Sequence, residues 1–293
     1  MTDISVIILI GQEKIHLKRC VEKLTPLNPR QIFLVESQPD DGGVAIAKEA
    51  AAKLGLRLES KFNKWPGTQA AQFNWALDEL GVGGRCRCTE DGWILRLDAD
   101  EYLTEETCKR LCGAQGLSAL PDDVAGLTLE LKRRFMGGEI RHATNGIRQV
   151  RIFRRGKARY AETLMDERLI VDGKVIDFDG AFYDDNLNGM EWWKNKHRGY
   201  AKREAEQALT LFDCSDCSNV RMKNGAPLDP RKVAYYKLPR YLRAVMYFCI
   251  RYFLKGGFLD GVAGWRWNFW QGLWYRWMVD REIGRAKRAR SRS

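Results

Sequence analysis

The sequence lacks two features that would take a chain into or across a membrane. No apolar run reaches the roughly 18 residues that a spanning helix needs, and the longest candidate, 244–250, is bounded by Arg243 and Arg251. The amino terminus has no basic segment followed by an apolar one, as a signal peptide would, because Thr2 and Asp3 follow Met1 directly. These absences predict a protein that stays in the cytoplasm.

Cysteine is present at eight positions, but without the spacing of a zinc knuckle. Six of them form three close pairs: Cys86 with Cys88, Cys108 with Cys112, and Cys214 with Cys217. Thiolates at such spacings can ligate zinc, whereas reduced thiols are the usual state in a cytosolic protein. Both alternatives stay open at the level of the sequence.

Acidic residues are scarce in the last part of the chain. Residues 231–293 hold 15 Lys and Arg but three acids, a net charge of +12, whereas the whole chain has +11. The first 230 residues are therefore close to neutral. A basic segment on a neutral body predicts a polyanionic surface as partner.

The first hundred residues alternate between strand and helix signals. Strands are predicted at 4–10, 31–35, 56–59 and 93–97, with helices between them that include 44–54 and 68–80. This alternation predicts an α/β fold with a mostly parallel sheet, right-handed crossovers and flanking helices. Ligands of such sheets bind at the carboxyl ends of the strands, which directs attention to Glu36, Ser37, Asp98 and Asp100.

Asp98 and Asp100 stand two residues apart at the end of an apolar strand. Carboxylates at this spacing supply the hard oxygen ligands that Mg²⁺ or Mn²⁺ prefers. Such a cation would neutralise the charge that develops on a departing diphosphate. The alternative is that the segment 98–101 begins a helix, with its acids as cap and first-turn residues.

Four segments together resemble the family 2 glycosyltransferases, whose fold is called GT-A. They are ISVIILIG at 4–11, IFLVES at 32–37, QFNWAL at 72–77 and ILRLDADEYL at 94–103. The resemblance implies a Rossmann-like fold, a nucleotide diphosphate sugar as donor and a divalent metal. It places Glu36 and Ser37 by the nucleotide, Asn74 near the donor, and Asp98 and Asp100 on the metal and diphosphate.

The second half is similar to a narrower branch, the bacterial transferases of exopolysaccharide and lipopolysaccharide-core assembly. The matching segments are RQVRIFRR at 148–155, MDE at 165–167, WWKNKH at 192–197, YAKREA at 200–205 and GFLDG at 257–261. Inversion at the anomeric carbon needs one general base. The resemblance implies that Asp166, or else Glu167, is that base, and that the acceptor is lipid-linked or a saccharide.

The sequence thus predicts three regions. Residues 1–230 form a GT-A catalytic domain, with a nucleotide-sugar half at about 1–105 and an acceptor half at about 106–230. Residues 231–284 form an aromatic and basic helical extension, and 285–293 a disordered basic tail. The strands predicted at 125–133 and 146–154 and the helix at 190–212 belong to the acceptor half.

Two other functions remain as alternatives. The basic segment could bind nucleic acid without catalysis, but no nucleic-acid-binding motif is present, so no nucleic acid is expected as partner. A metal-dependent nucleotidyltransferase also uses carboxylates, but it would normally have a Gly-rich phosphate loop after the first strand, which 10–13 is not.

A helical wheel separates charged from apolar residues after 240. The basic residues Arg240, Arg243, Arg251 and Lys255 fall on one arc, and Leu242, Val245, Met246, Cys249 and Phe253 lie opposite. This pattern predicts peripheral contact with anionic lipid on the inner face of the cytoplasmic membrane. The alternative is that the apolar face packs within the protein and the charges face solvent.

Overall fold

The computed structural model describes residues 2–81, 92–143, 146–161, 169–212 and 230–290. The chain divides into two compact units, Met1–Lys132 with Gly146–Leu187, and Arg133–Asn145 with Asn188–Ser293. The second unit is therefore discontinuous in sequence, with one short stretch at 133–145 and a longer one from 188.

Four parallel strands form one half of the sheet in the first unit. They are β1 (Thr2–Ile10), β2 (Pro29–Glu36), β3 (Leu58–Phe62) and β4 (Trp93–Asp98), in the order β3-β2-β1-β4. Three helices connect them: α1 (Lys14–Glu22), α2 (Gly43–Lys53) and α3 (Gln69–Gly81). The four strands, α2 and α3 lie within a few residues of the predicted ranges.

The sheet continues with strands that come later in the chain. The elements that follow β4 along the chain are β5 (Glu101–Leu103), α4 (Glu105–Cys112), a 3₁₀ turn (Leu117–Ala119), β6 (Val124–Phe135), β7 (Gly138–Ile140), β8 (Arg148–Arg154), β9 (Ala158–Tyr160), β10 (Leu169–Val171) and β11 (Lys174–Asp185). The path runs on from β4 through β8, β6 and β11 to β5, and β9 and β10 form a separate ribbon. β8 is antiparallel to both β4 and β6, and β5 to β11.

Alternating side chains of the strands fill two apolar layers. On β1, Ile4, Val6, Ile8 and Ile10 pack with α1 and α2, whereas Ile7 packs with Phe73 of α3 and Phe153 of β8. Because successive strand residues point to opposite faces, helices cover both sides of the sheet. The predicted α/β class is confirmed, and the arrangement is consistent with a Rossmann-like GT-A fold.

The second unit is mostly helical. It contains α5 (Met190–Phe212), α6 (Pro230–Lys237), α7 (Leu242–Cys249), a π-helical segment (Ile250–Leu254), a 3₁₀ turn (Gly257–Asp260), α8 (Gly261–Trp267), a second π-helical segment (Asn268–Trp274) and α9 (Tyr275–Arg290). The predicted helical C-terminal segment is confirmed. Within the described residues, none of the helices combines the length and apolar character that crossing a membrane requires.

The prediction of a disordered tail from 285 is wrong for the residues that the structure describes. α9 continues to Arg290, with Lys287, Arg288 and Arg290 in its last turn. Cations at this end of a helix interact favourably with the carbonyl groups that the helix leaves unpaired. Composition alone missed this local stabilisation.

Two of the four basic residues on the predicted arc, Arg243 and Arg251, point inward, whereas Arg240 and Lys255 are exposed, which corrects the helical-wheel interpretation. Arg243 is fully buried; its Nε donates to Asp280 Oδ1 at 2.8 Å and its Nη1 to the Tyr236 carbonyl at 2.9 Å. Arg251 is also buried, against the rings of Tyr247 and Trp267. A buried carboxylate and aromatic ring faces stabilise these guanidinium groups inside the protein. A helical wheel does not show these partners, because they lie on other elements or outside its pattern.

Candidate active site

The carboxyl ends of the four parallel strands meet at one edge of the sheet. The strand register pairs Ile10 with Glu36, and Leu9 with Asp98. Glu36 and Asp98 therefore end the strands on either side of β1, at backbone positions about 10 Å apart. The structure brings together the two carboxylate-bearing strand ends that the sequence singled out.

Backbone hydrogen bonds fix the end of β2. The amide of Asn63 donates to the Glu36 carbonyl at 2.9 Å, and Gln72 Nε2 donates to the same oxygen at 3.3 Å. Ser37 donates twice to the Ile10 carbonyl, from its amide and its hydroxyl, each at 3.0 Å. The Ser37 hydroxyl thus ties β2 to β1, and the half-buried Glu36 side chain lies at the edge on a rigid support.

The side chain of Asn74 makes two hydrogen bonds to the backbone of β9. Its side chain is buried, and its Nδ2 donates to the Tyr160 carbonyl while its Oδ1 accepts from the Tyr160 amide, both at 2.9 Å. The Tyr160 hydroxyl accepts from Arg96 Nη1, and Arg96 Nη2 donates to Asp98 Oδ1 at 3.2 Å. Asn74 is therefore connected to Asp98 through two side chains, and its contact with a donor stays a prediction.

A buried acid supports the turn that carries the two aspartates. Glu101 Oε2 accepts from the Asp98 amide at 3.0 Å, and Glu101 Oε1 pairs with Arg151 on β8. Burial raises the pKa of Glu101 to about 8, and the positive charge of Arg151 opposes this. The pair fixes the turn from within the protein.

The structure decides against the alternative in which these acids begin a helix. Residues 99 and 100 form a turn that leads into β5. The next helix, α4, begins at Glu105 and is capped by Thr104, whose Oγ1 accepts from the Thr107 amide at 3.2 Å. Asp98 and Asp100 are therefore not capping residues.

Negative charge is concentrated around Asp100. Burial, followed by the neighbouring carboxylates of Asp184, Asp98 and Glu13, raises the pKa of its carboxyl group to about 6. Asn186 Nδ2 opposes the shift by donating to Asp100 Oδ2 at 2.8 Å. The site therefore holds a carboxylate whose charge costs free energy without a cation nearby.

The donor set suits a cation that is shared with a phosphate ligand. No group of three His, Cys, Asp or Glu side chains arranged to hold a metal is found in the described ranges. Mg²⁺ commonly takes one or two protein carboxylates and completes its shell with water and substrate phosphates. Asp98 and Asp100 lie where negative charge is concentrated, and two carboxylates fit that mode of binding. The remaining metal ligands would then come from water and the phosphate groups.

Other predicted residues are placed less fully. Asp166 and Glu167, the candidate bases, lie outside the described residues, as do Cys86, Cys88, Cys214 and Cys217. Neither Cys108 nor Cys112 forms a disulfide. Burial raises the pKa of Cys108 to about 12, which disfavours the thiolate that zinc would need.

The sequence did not reveal the residues that position the aspartates. Arg96 precedes Asp98 by two positions on β4 and so shares its face of the sheet, a signal that could have been used. Tyr160, Arg151 and Asn186 lie 50 or more positions from the aspartate that each supports, directly or through another side chain. No pattern in one sequence connects residues at such separations.

Comparison with known proteins gives no family assignment. No protein-family model matches the chain, and no curated protein sequence does. Among solved structures, TarS of S. aureus matches 89% of this chain at 14% identity and a TM-score of 0.40, and the chain spans 46% of that structure. A structure of S. aureus TarS residues 1–349 matches 97% of this chain and 89% of its own length, at 13% identity and a TM-score of 0.37.

A third structure is that of a Bacillus anthracis protein assigned as a glucose-1-phosphate thymidylyltransferase and solved with sucrose. It matches 62% of this chain and 89% of its own length, at 11% identity and a TM-score of 0.35. At these TM-scores the likenesses are too weak to assign a function.

Proposed function

We propose that this chain is an inverting, metal-dependent glycosyltransferase that moves a hexose from a nucleotide diphosphate sugar to a lipid-linked or saccharide acceptor. The observation that carries the proposal is the Asp98–Asp100 turn at the carboxyl edge of the parallel strands, with Glu36 two strands away. Ligands of open α/β sheets bind at this edge. The resemblance to family 2 glycosyltransferases assigns the same residues to the same ligand.

The described side chains divide the work of donor binding. Arg96 holds the Asp98 carboxylate in one orientation, and Asn186 does so for Asp100. In this proposal the two carboxylates share a divalent cation, which when bound would neutralise charge on the leaving diphosphate. Glu36 offers an acceptor for the hydroxyl groups of the nucleoside, on a strand end that Asn63 and Gln72 fix.

Removal of one carboxylate charge tests the proposal. Asp100→Asn keeps the shape of the side chain and removes a charged ligand. Release of nucleoside diphosphate from a panel of sugar nucleotides with Mg²⁺ or Mn²⁺ should fall by at least about 100-fold. The matched control is Asp179→Asn, because Asp179 is exposed and pairs with Arg110; this variant should retain its activity.

Two outcomes would reject the proposal. Near-normal release by Asp100→Asn, or full activity of the unchanged protein in excess chelator, would rule out the metal role. Release of pyrophosphate from a nucleoside triphosphate and a sugar phosphate, without transfer from any sugar nucleotide, would identify the nucleotidyltransferase alternative instead.

A further inference from the structure

The second unit exposes a continuous apolar surface on α7 and the segments that follow it. Its exposed large side chains, the apolar patch, are Leu242, Val245, Met246, Ile250, Phe253, Leu254, Phe258, Leu259, Val262 and Trp265. Tyr252 joins the two halves of the patch, since its ring lies 5.1 Å from that of Phe253, 6.3 Å from Phe258 and 5.8 Å from Trp265. Apolar surfaces of this extent usually mark a binding site.

The inward position of the arginines makes this exposure stable. Arg243 and Arg251 occupy the face of α7 and its π-helical extension that ordinary packing would give to apolar residues. Their partners, Asp280 and the rings of Tyr247 and Trp267, lie within the same unit. The helix therefore cannot rotate its apolar side inward without leaving Asp280 buried and unpaired, which is costly.

The three acidic side chains of residues 231–293 are largely buried, so the charge around the apolar patch is positive. Asp260 accepts from the amides of Arg141 and His142, and its side chain is almost fully buried. Asp280 is buried against Arg243, and Glu282 is largely buried beside Arg281 and Arg285. In contrast, Arg240, Lys255 and Arg266 are exposed on the same segments as the patch.

This combination favours a lipid surface over a second copy of the chain as occupant. A two-fold interface brings the same surface of each copy together. Lys255 and Arg266 would then face positive charges of the other copy, and the buried side chains of Asp260 and Asp280 could not compensate them. A bilayer of anionic phospholipid supplies both an apolar layer for the patch and negative headgroups for its basic rim.

We propose that the apolar patch inserts into the headgroup layer of an anionic phospholipid bilayer, with Lys255 and Arg266 among the headgroups. The apolar side chains carry the binding, and the arginines at 243 and 251, which the wheel had assigned to lipid, hold the helix in the orientation that exposes them. The inference is independent of sugar transfer, because vesicle binding needs neither donor nor acceptor.

Flotation with vesicles tests the insertion directly. The full-length protein should bind vesicles of 70% phosphatidylcholine and 30% phosphatidylglycerol, and bind less to phosphatidylcholine alone. The variant Leu254→Glu/Val262→Glu changes two side chains that are 81% and 67% exposed and should lower the partition coefficient by at least about tenfold. Ile170→Glu, at a 62% exposed apolar position in the first unit, is the matched control and should bind normally.

Tryptophan quenching locates the contact. Trp265 and Trp65 are each 45% exposed, in the second and first unit respectively. Brominated lipid should quench the fluorescence of the unchanged protein, and Trp265→Phe should lose much of that quenching while Trp65→Phe keeps it. Circular dichroism and thermal unfolding of every variant should match the unchanged protein.

Three results would overturn the proposal. One is that, at low salt, the same amount of protein is found in the floating fraction with and without vesicles. The second is complete loss of binding at 0.5 M NaCl (about a 4 Å screening length), since apolar insertion should persist there in part and electrostatic attraction should not. The third is lipid-free dimerisation that Leu254→Glu/Val262→Glu abolishes, which would make a second copy the occupant.

Discussion

Asp100 is the residue at which stability and the proposed activity conflict. Its pKa of about 6 lies above the ordinary value for aspartate, so the folded state favours the protonated carboxyl group. The resulting stabilisation is complete below the ordinary pKa and is lost as the pH rises through about 6. Near neutrality the protein therefore maintains a negative charge that its own structure disfavours, as is common at active sites.

The variant Asp100→Asn should be more stable than the unchanged protein when metal is absent. In excess chelator we expect its free energy of unfolding to be higher by about 1–3 kcal/mol at pH 8 and nearly equal at pH 4. Urea denaturation at the two pH values measures this. A difference that does not depend on pH would show that burial of charge is not the cause, and added Mg²⁺ at pH 8 should narrow it.

The identity of the general base can also be tested with single-residue variants. Asp166→Asn should lower turnover by roughly 10²–10⁴-fold with donor affinity unchanged, because a base acts in the chemical step. Glu167→Gln is the paired variant: loss in that variant alone would assign the role to Glu167. Collapse of donor affinity in Asp166→Asn, measured by calorimetry with the donor alone, would instead make Asp166 a donor ligand or a structural residue.

The sequence predicted where Asp98 and Asp100 lie in the fold but not which side chains support them. Asp98 and Asp100 follow an apolar strand, and the strand rule locates them without further information. The Asn74–Tyr160–Arg96 connection and the Glu101–Arg151 pair depend on contacts between residues far apart in the chain. Such contacts arise from the folded topology, to which a single sequence gives no direct access.

Among the elements, α7 and α9 are joined by one buried ion pair. Arg243 and Asp280 have side chains that are almost completely buried, and Asp280 Oδ2 also accepts from the Tyr241 amide at 2.7 Å. Removing one member of such a pair leaves the other charge buried without compensation. The pair thus sets the orientation of α7 more than it adds net stability.

Arg243→Met should therefore lower the free energy of unfolding by about 3–5 kcal/mol. Lys237→Met, at an exposed position near the end of α6, should change it by less than about 0.5 kcal/mol. Chemical denaturation followed by circular dichroism compares the two. Similar small effects in both variants would mean that the charges of the pair remain solvated.

Elements with a strong periodic pattern were predictable, and those without one were not. The apolar run of β1 and the amphipathic spacing of α5 both gave bounds close to the observed ones. β11 was missed because its sequence, KVIDFDGAFYDD, contains four aspartates and a glycine, which are rare in strands. Its strand conformation comes from its neighbours in the sheet.

For the whole molecule, the pattern of a helix proved less informative than its surroundings. The wheel correctly grouped basic and apolar residues on opposite arcs of α7. It could not indicate which arc faces the interior, because that depends on Asp280, which lies 37 positions from Arg243. The net charge of +12 for residues 231–293 is equally limited as a guide, because it counts every charged residue. Which charges face solvent depends on burial, and the side chains of Asp260 and Asp280 are buried.

Burial also determines which cysteines a thiol-labelling reagent can reach. In the part of the chain that the structure describes, Cys20 and Cys108 are enclosed, and burial raises the pKa of each to about 12. Maleimides react with thiolates at accessible positions, so these two should stay unmodified in the native state. Cys112 and Cys249 are exposed, and Cys249 ends α7 next to Ile250. With the other accessible thiols replaced by serine, a polarity-sensitive dye on Cys249 would report from the border of the apolar patch.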